Sequence, residues 1–75
     1  MGRLRVLSGT DVCKILSGFG FVEVRRHGSH IVMQKKISNG TITVPVPDHK
    51  TLKTGTLLSV IRQSGVSRSE FEYAE

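Results

Sequence analysis

The sequence predicts an α+β domain of two layers, in which two helices pack on one face of a three-stranded antiparallel sheet. Apolar residues recur at helical spacing near the start of the chain and again after residue 54. The middle of the chain alternates as strands do, and two Gly-containing turns divide it into three strands. Its 75 residues suffice for one thin core, so we expect a single domain over residues 1–75.

The first helix is predicted to begin after Ser8. Ser8 and Asp11 have the spacing of a capping box, in which each side chain binds the backbone N–H of the other residue. The apolar residues that follow share one helix face: Val12, Ile15, Leu16 and Phe19. Gly18 and Gly20 are expected to end this helix.

Three strands are predicted at residues 21–26, 29–37 and 41–46, with two-residue turns at His27-Gly28 and Asn39-Gly40. This register pairs Arg25 with His30. One face should pack on the helices: Val22, Val24, Ile31, Met33, Ile37, Ile42, Val44 and Val46. The other face should stay open: Phe21, Glu23, Arg25, His30, Val32, Gln34, Lys36, Thr43 and Pro45.

The second helix is predicted to begin at Thr54 or Gly55 and to end at Gly65. Its apolar residues have helical spacing: Leu57, Leu58, Val60 and Ile61. Ser67 and Glu70 repeat the capping-box pattern, so a short third helix is expected at the C-terminal end.

Positive charge is concentrated in the main body of the chain. The net charge is +5, but residues 1–67 hold ten basic and three acidic residues and therefore carry +7. Such a body favours a polyanionic partner, with RNA or DNA as the first candidate, although a merely solvated basic face is the alternative. No apolar run is long enough to span a membrane and no signal-peptide pattern opens the chain, so we expect a cytoplasmic protein.

Several kinds of chemistry lack their usual motifs. The three histidines and the single cysteine, Cys13, do not have the spacing of metal ligands, and we expect neither a metal nor a small-molecule cofactor. No P-loop, dinucleotide fingerprint or nucleophile elbow is present. Cys13 lies beside the apolar stripe of the first helix, where a buried and unreactive thiol is expected.

His30 is the candidate catalytic residue. RNA carries its own nucleophile, the 2′-hydroxyl, and its cleavage needs a base, an acid and cations near the phosphate. An imidazole titrates near neutral pH and can serve as base or acid, although a lone strand histidine can also be merely solvated. We expect these residues to bind RNA around it: Arg25, Arg26, Gly28, Ser29, Lys35, Lys36 and Lys50.

The other two histidines are weaker candidates. His27, in the predicted turn, is expected to be a surface residue. His49 follows Asp48 in a basic loop over residues 48–54, where it is either a second acid or base or a structural residue.

The run Gly28-Ser29-His30 resembles the glycine–serine–histidine signature of HicA toxins. Other segments resemble the family in the same order along nearly the whole chain: Phe19-Gly20-Phe21, Thr43-Val44-Pro45, His49 with Leu52-Lys53, Gly55-Thr56-Leu57, residues 62–67 and Glu70-Phe71. The resemblance implies a fold similar to double-stranded RNA-binding domains and a metal-independent mRNA interferase with His30 as catalytic residue. It also implies a HicB-type antitoxin as partner. A non-catalytic RNA-binding module and a pure protein-interaction domain are the alternatives.

Overall fold

A computed structural model describes residues 2–74 of the chain. Its elements are α1 (Gly9–Ser17), β1 (Val22–His27), β2 (His30–Ile37), β3 (Gly40–Pro47), α2 (Thr54–Ser64) and a 3₁₀ helix (Arg68–Phe71). The strands form one antiparallel sheet in the order β1-β2-β3. The predicted α+β fold, with two helices and a three-stranded antiparallel sheet, is confirmed.

Helix α1 begins as the capping box predicts. The Ser8 hydroxyl accepts a hydrogen bond from the Asp11 N–H, and the Asp11 carboxylate accepts one from the Ser8 N–H, both at 3.0 Å. The helix ends at the predicted glycines, with Gly18 as its C-terminal cap. Phe19 was predicted on the buried stripe but lies beyond the helix and is 39% exposed. Phe21 was predicted on the open face and instead fills the core.

The core lies between the helices and one face of β2 and β3. It contains Leu7, Val12, Leu16, Phe21, Ile31, Met33, Val44, Val46, Leu52, Leu57, Val60, Ile61 and Phe71. Helix α2 packs on β3, while α1 packs on β2 and β3 and touches β1 less. Strand β1 is at an edge of the sheet, and all six of its residues are exposed, so it contributes little to the core.

The turn between β2 and β3 differs from the prediction. It consists of Ser38 and Asn39, and Gly40 is the first residue of β3, so Met33 pairs with Val44 rather than with Val46. An Asn-Gly turn of type I′ needs positive φ at both residues, and neither Asn39 nor Gly40 has it. Each partner moves by two positions. The faces of β2 and β3 therefore remain as predicted, because side chains alternate with a period of two.

The turn between β1 and β2 also moves by one residue, to Gly28-Ser29. Gly28 has φ +61, a left-handed value that favours glycine, and Ser29 has negative φ. His27 therefore pairs directly with His30, and Arg25 pairs with Val32. The predicted pairing of Arg25 with His30 is wrong.

A β-bulge between Glu23 and Arg25 changes the faces of β1. Glu23 pairs with Met33 and Arg26 with Ile31, so both charged residues lie on the helix-packed side of the sheet. The prediction that Glu23 lies on the open face is therefore wrong. The prediction that three apolar side chains pack in the core is also wrong. Those three residues are Val22, Val24 and Ile37, which are 59%, 43% and 44% exposed.

The two chain ends pair with each other, which the sequence does not indicate. The Arg5 N–H donates to the Phe71 carbonyl and the Tyr73 N–H to the Arg3 carbonyl, both at 2.9 Å. The 3₁₀ helix seals this end of the core with Phe71. The predicted capping box of this helix is absent from the described residues, since the Ser67 side chain accepts from the Ser69 N–H.

Gly9 permits a close approach between α1 and the end of β3. Its N–H donates to the His49 carbonyl at 2.9 Å, and a Cβ at this position would overlap the Pro47 carbonyl oxygen. Gly55, near the start of α2, has no atom within 4 Å of an added Cβ.

We expect Gly9→Ala and Gly55→Ala to have opposite effects. Gly9→Ala should lower the free energy of unfolding by about 1–3 kcal/mol, because the methyl group forces backbone apart. Gly55→Ala should raise it by roughly 0.5–1 kcal/mol through helix propensity. Urea unfolding measures both values. Equal effects of the two substitutions would contradict the packing described for Gly9.

Candidate active site

The open face of the sheet carries a depression of about 340 Å³. It is lined by Arg25 and His27 of β1, His30 and Val32 of β2, and Pro45 of β3. The register explains this set. Val32 lies between its cross-strand partners Arg25 and Pro45. His30 pairs with His27 two residues along the strands, which is the next pair on the same face of the sheet. Three neighbouring strands therefore build one site.

The floor of the depression is apolar and its rim is cationic or titratable. Val32 is 6% exposed although it is on the solvent side of the sheet, because the surrounding side chains cover it. His30, His27, Arg25 and Pro45 are exposed. His30 thus points away from the helices, and among residues 2–74 neither His27 nor His30 has a side-chain hydrogen bond that would keep it from a ligand.

Arg25 and Arg26 are adjacent in sequence but lie in opposite environments. Arg25 faces the depression, and within the described chain its guanidinium has no ion-pair partner. Arg26 is on the other side of β1, where its guanidinium binds Glu23 at 3.2 Å and Asp48 at 2.9 Å. The hydrogen bond that Arg26 donates to the Glu23 carboxylate and the negative charge of that carboxylate raise the pKa of Arg26, and Asp48 adds to the effect.

The charge of Arg26 is therefore already balanced. One cation between two carboxylates leaves a local net charge of −1, which does not attract a phosphate, whereas the charge of Arg25 is available to one. The structure does not bring Arg26 into the depression, and its predicted RNA contact stays a prediction.

The turn before His30 is held by the loop after β3. The Asp48 N–H donates to the Ser29 carbonyl at 2.6 Å, and the Asp48 carboxylate binds Arg26 at the end of β1. Gly28, at the tip of the turn, has no atom within 4 Å of where a Cβ would stand. Gly28 and Ser29 are exposed and lie between His27 and His30 in the chain, and their predicted RNA contacts stay predictions.

The three candidate lysines lie in different places. Lys36 is exposed on the open face, where it pairs with Thr41 at the far end of β2. Lys35 is on the helix-packed side, with its ammonium 5.9 Å from the centre of the Phe21 ring. Lys50 is exposed in the loop after β3. None of the three lines the depression, so the structure separates them from His30.

Two further findings concern metals and membranes. Within residues 2–74, no group of three or more His, Cys, Asp or Glu side chains is close enough together to hold a metal ion. In the same part of the chain, no helix has both the length and the apolar character needed to cross a membrane.

The fold and this depression define a class: a small, basic α+β domain whose open sheet face presents histidine and arginine side chains around an apolar floor. The family model described as the HicA toxin of bacterial toxin-antitoxin systems matches residues 9–66. The chain therefore belongs to the HicA toxin family. No curated protein matches the chain. The matched span contains every residue that lines the depression.

His27 is a lining residue that the sequence does not predict for the site. The predicted turn contains His27, but in the structure it is the last residue of β1, opposite His30. The signal was available in the dipeptide Gly28-Ser29, because glycine at the first of two turn positions is typical of a type II′ hairpin.

Cys13 was expected to be a buried, unreactive thiol, and the structure finds it half-buried on α1. Burial, with the nearby carboxylate of Glu23 as a lesser cause, raises the pKa of the Cys13 thiol to about 11. The thiolate is the reactive form, so Cys13 is a poor nucleophile at neutral pH.

We expect alkylation of Cys13 by iodoacetamide at pH 7.5 to be about a hundredfold slower than that of a free cysteine. The rate should still be rising between pH 9 and pH 11, because the thiol ionises only in that range. Mass spectrometry of timed samples measures the rate, and the urea-unfolded chain is the control. A rate that levels off below pH 9 would contradict the raised pKa.

Proposed function

We propose that this HicA-family toxin is an endoribonuclease that cleaves mRNA and so arrests translation, with His30 as a general acid or base. The observation that carries the proposal is the exposed imidazole of His30 beside the unpaired guanidinium of Arg25, in one depression of the open sheet face. Membership of a toxin family supports a damaging activity of this kind. We expect the protein to act in the cytoplasm, where mRNA is translated.

The residues of the depression suit a phosphodiester. Attack of the ribose 2′-oxygen on phosphorus requires removal of a proton from the 2′-hydroxyl and places additional charge on the phosphate oxygens. His30 can transfer the proton, and Arg25 can pair with the phosphate oxygens, where charge-assisted hydrogen bonds are strong. Val32 and Pro45 offer an apolar surface for the face of a ribose or base.

The same face is the surface that a protein inhibitor would need to cover. We propose a HicB-type antitoxin as partner, because the chain belongs to a toxin-antitoxin family. An antitoxin seated on the open face would place its own groups against His30 and Arg25. It would thereby exclude RNA without any change in the toxin's fold.

The second candidate is a non-catalytic RNA-binding module. The unpaired Arg25 and the charge of +7 on residues 1–67 favour it as much as they favour the nuclease. Only proton transfer by His30 separates the two functions, so an assay of cleavage alongside binding decides between them.

We expect His30→Ala to lower the rate of cleavage of a labelled mRNA by about 10²–10⁴-fold, because proton transfer is lost. RNA binding should remain within a few-fold of the parent value. His49→Ala is the matched histidine control and should cleave like the parent. If the purified parent chain binds RNA but leaves it intact, the RNA-binding module is the correct function.

We expect Arg25→Ala to weaken RNA binding and to lower the slope of log K against log salt by about one, as the loss of one phosphate contact requires. The control is Arg62→Ala, which removes an exposed arginine from α2, in the layer of helices. Fluorescence anisotropy at several salt concentrations measures both. Equal losses for the two variants would mean that binding follows net charge rather than the depression.

A further inference from the structure

We propose that His27 is the second proton-transfer residue of this site, so that His27 and His30 act as an acid–base pair. The inference rests on the proposed function and deepens it, because a single imidazole leaves one of the two proton transfers of RNA cleavage without a donor or acceptor.

The backbone places the two rings together. His27 ends β1, His30 begins β2, and the two-residue turn Gly28-Ser29 makes them direct cross-strand partners. Residues paired in this way share a face of the sheet, with Cβ atoms about 4.5–5.5 Å apart. Both line the depression. Two imidazoles at this separation can reach opposite sides of one phosphate that lies over the Val32 floor.

The reaction requires two proton transfers, one for each imidazole. The bond between the 2′-oxygen and phosphorus forms, and the bond between phosphorus and the 5′-oxygen breaks. One neutral imidazole accepts the proton of the 2′-hydroxyl, and the other, protonated, gives its proton to the departing 5′-oxygen. The products are a 2′,3′-cyclic phosphate and a 5′-hydroxyl, and the two rings have exchanged protonation states. No metal or other reactant enters this balance.

Arg25 completes the arrangement. It lies on the same face of β1 as His27 and next to it in the depression. An arginine side chain holds phosphate oxygens through a fixed fork of N–H donors and is not a proton-transfer group, so the role of Arg25 is to bind the non-bridging oxygens. The proton transfers therefore fall to the two imidazoles.

His49 is the competing candidate, and its place in the fold argues against it. It lies in the loop after β3 and does not line the depression. Its carbonyl accepts the hydrogen bond from Gly9, which ties this segment to the start of α1. His49 thus lies in the loop that connects the sheet to α1 through this hydrogen bond, whereas His27 lines the depression together with His30.

The test compares two RNA substrates that differ at the scissile bond. One has the natural 5′-oxygen, and the other has sulfur in its place, a leaving group that departs without a proton. Cleavage of both is measured for the parent, His27→Ala, His27→Gln, His30→Ala and His49→Ala. Circular dichroism confirms that each variant is folded, which is expected because His27 and His30 are exposed.

We expect His27→Ala and His27→Gln each to cleave natural RNA at least 100-fold more slowly than the parent. We also expect the variants at one of the two positions, 27 or 30, to cleave the sulfur substrate at nearly the parent rate. The histidine at that position is then the acid, because the sulfur leaving group needs no proton. The other position should stay slow on both substrates, as the base.

Three results would overturn the acid–base pair. The His27 variants could cleave natural RNA at the parent rate, or the sulfur substrate could fail to restore cleavage by the variants at either position. The third is that His49→Ala, rather than a His27 variant, cleaves natural RNA slowly. If the parent cleaves neither substrate, the nuclease function itself fails. Cleavage by the parent with unaffected His27 variants overturns only the role of His27.

Discussion

The structure depends on the burial of two β2 side chains, Ile31 and Met33, against the helices. Ile31 and Met33 point into the core with 1% exposure, and the alternation of side chains then forces His30 and Val32 to the opposite face. Burying two or more such apolar side chains stabilises the domain by several kcal/mol, of order 1.5–3 kcal/mol each. The outward direction of His30 is therefore fixed by the core and not by contacts of the imidazole itself.

The loop after β3 connects this core to the site. It is tied to the start of α1 by the hydrogen bonds from Gly9 to His49 and from Leu52 to Leu7, and to the hairpin turn by the bond from Asp48 to Ser29. The added ion pair between Asp48 and Arg26 is solvent-exposed and contributes little to stability, so the backbone hydrogen bonds hold the loop in place. The turn that presents His30 is thus anchored to both layers of the domain.

The sequence predicted the layers, the order of elements and the open position of His30, because these follow from hydrophobic periods and caps that act locally. It did not predict the pairing of β1. Val22 and Val24 alternate as core residues do, but a bulge between Glu23 and Arg25 puts Glu23 on the helix-packed face in place of Val22. A bulge changes the face of every residue beyond it and leaves no periodic signal. The pairing of the chain ends is non-local in the same way, and no turn signal marks it.

The turns show which physical effect decides a register. Asn39-Gly40 satisfies the dipeptide rule for a tight turn, yet the chain turns one residue earlier. The shift lets Ile31 and Met33 pair with Val46 and Val44, four fully buried side chains on one face. At the other hairpin, glycine at position 28 takes the left-handed value that a turn needs at its first position. The turn at Gly28-Ser29 puts a second imidazole opposite His30 and the guanidinium of Arg25 opposite Val32. The position of this turn therefore decides which side chains meet in the site, because a turn one residue earlier would pair His30 with Arg25 instead.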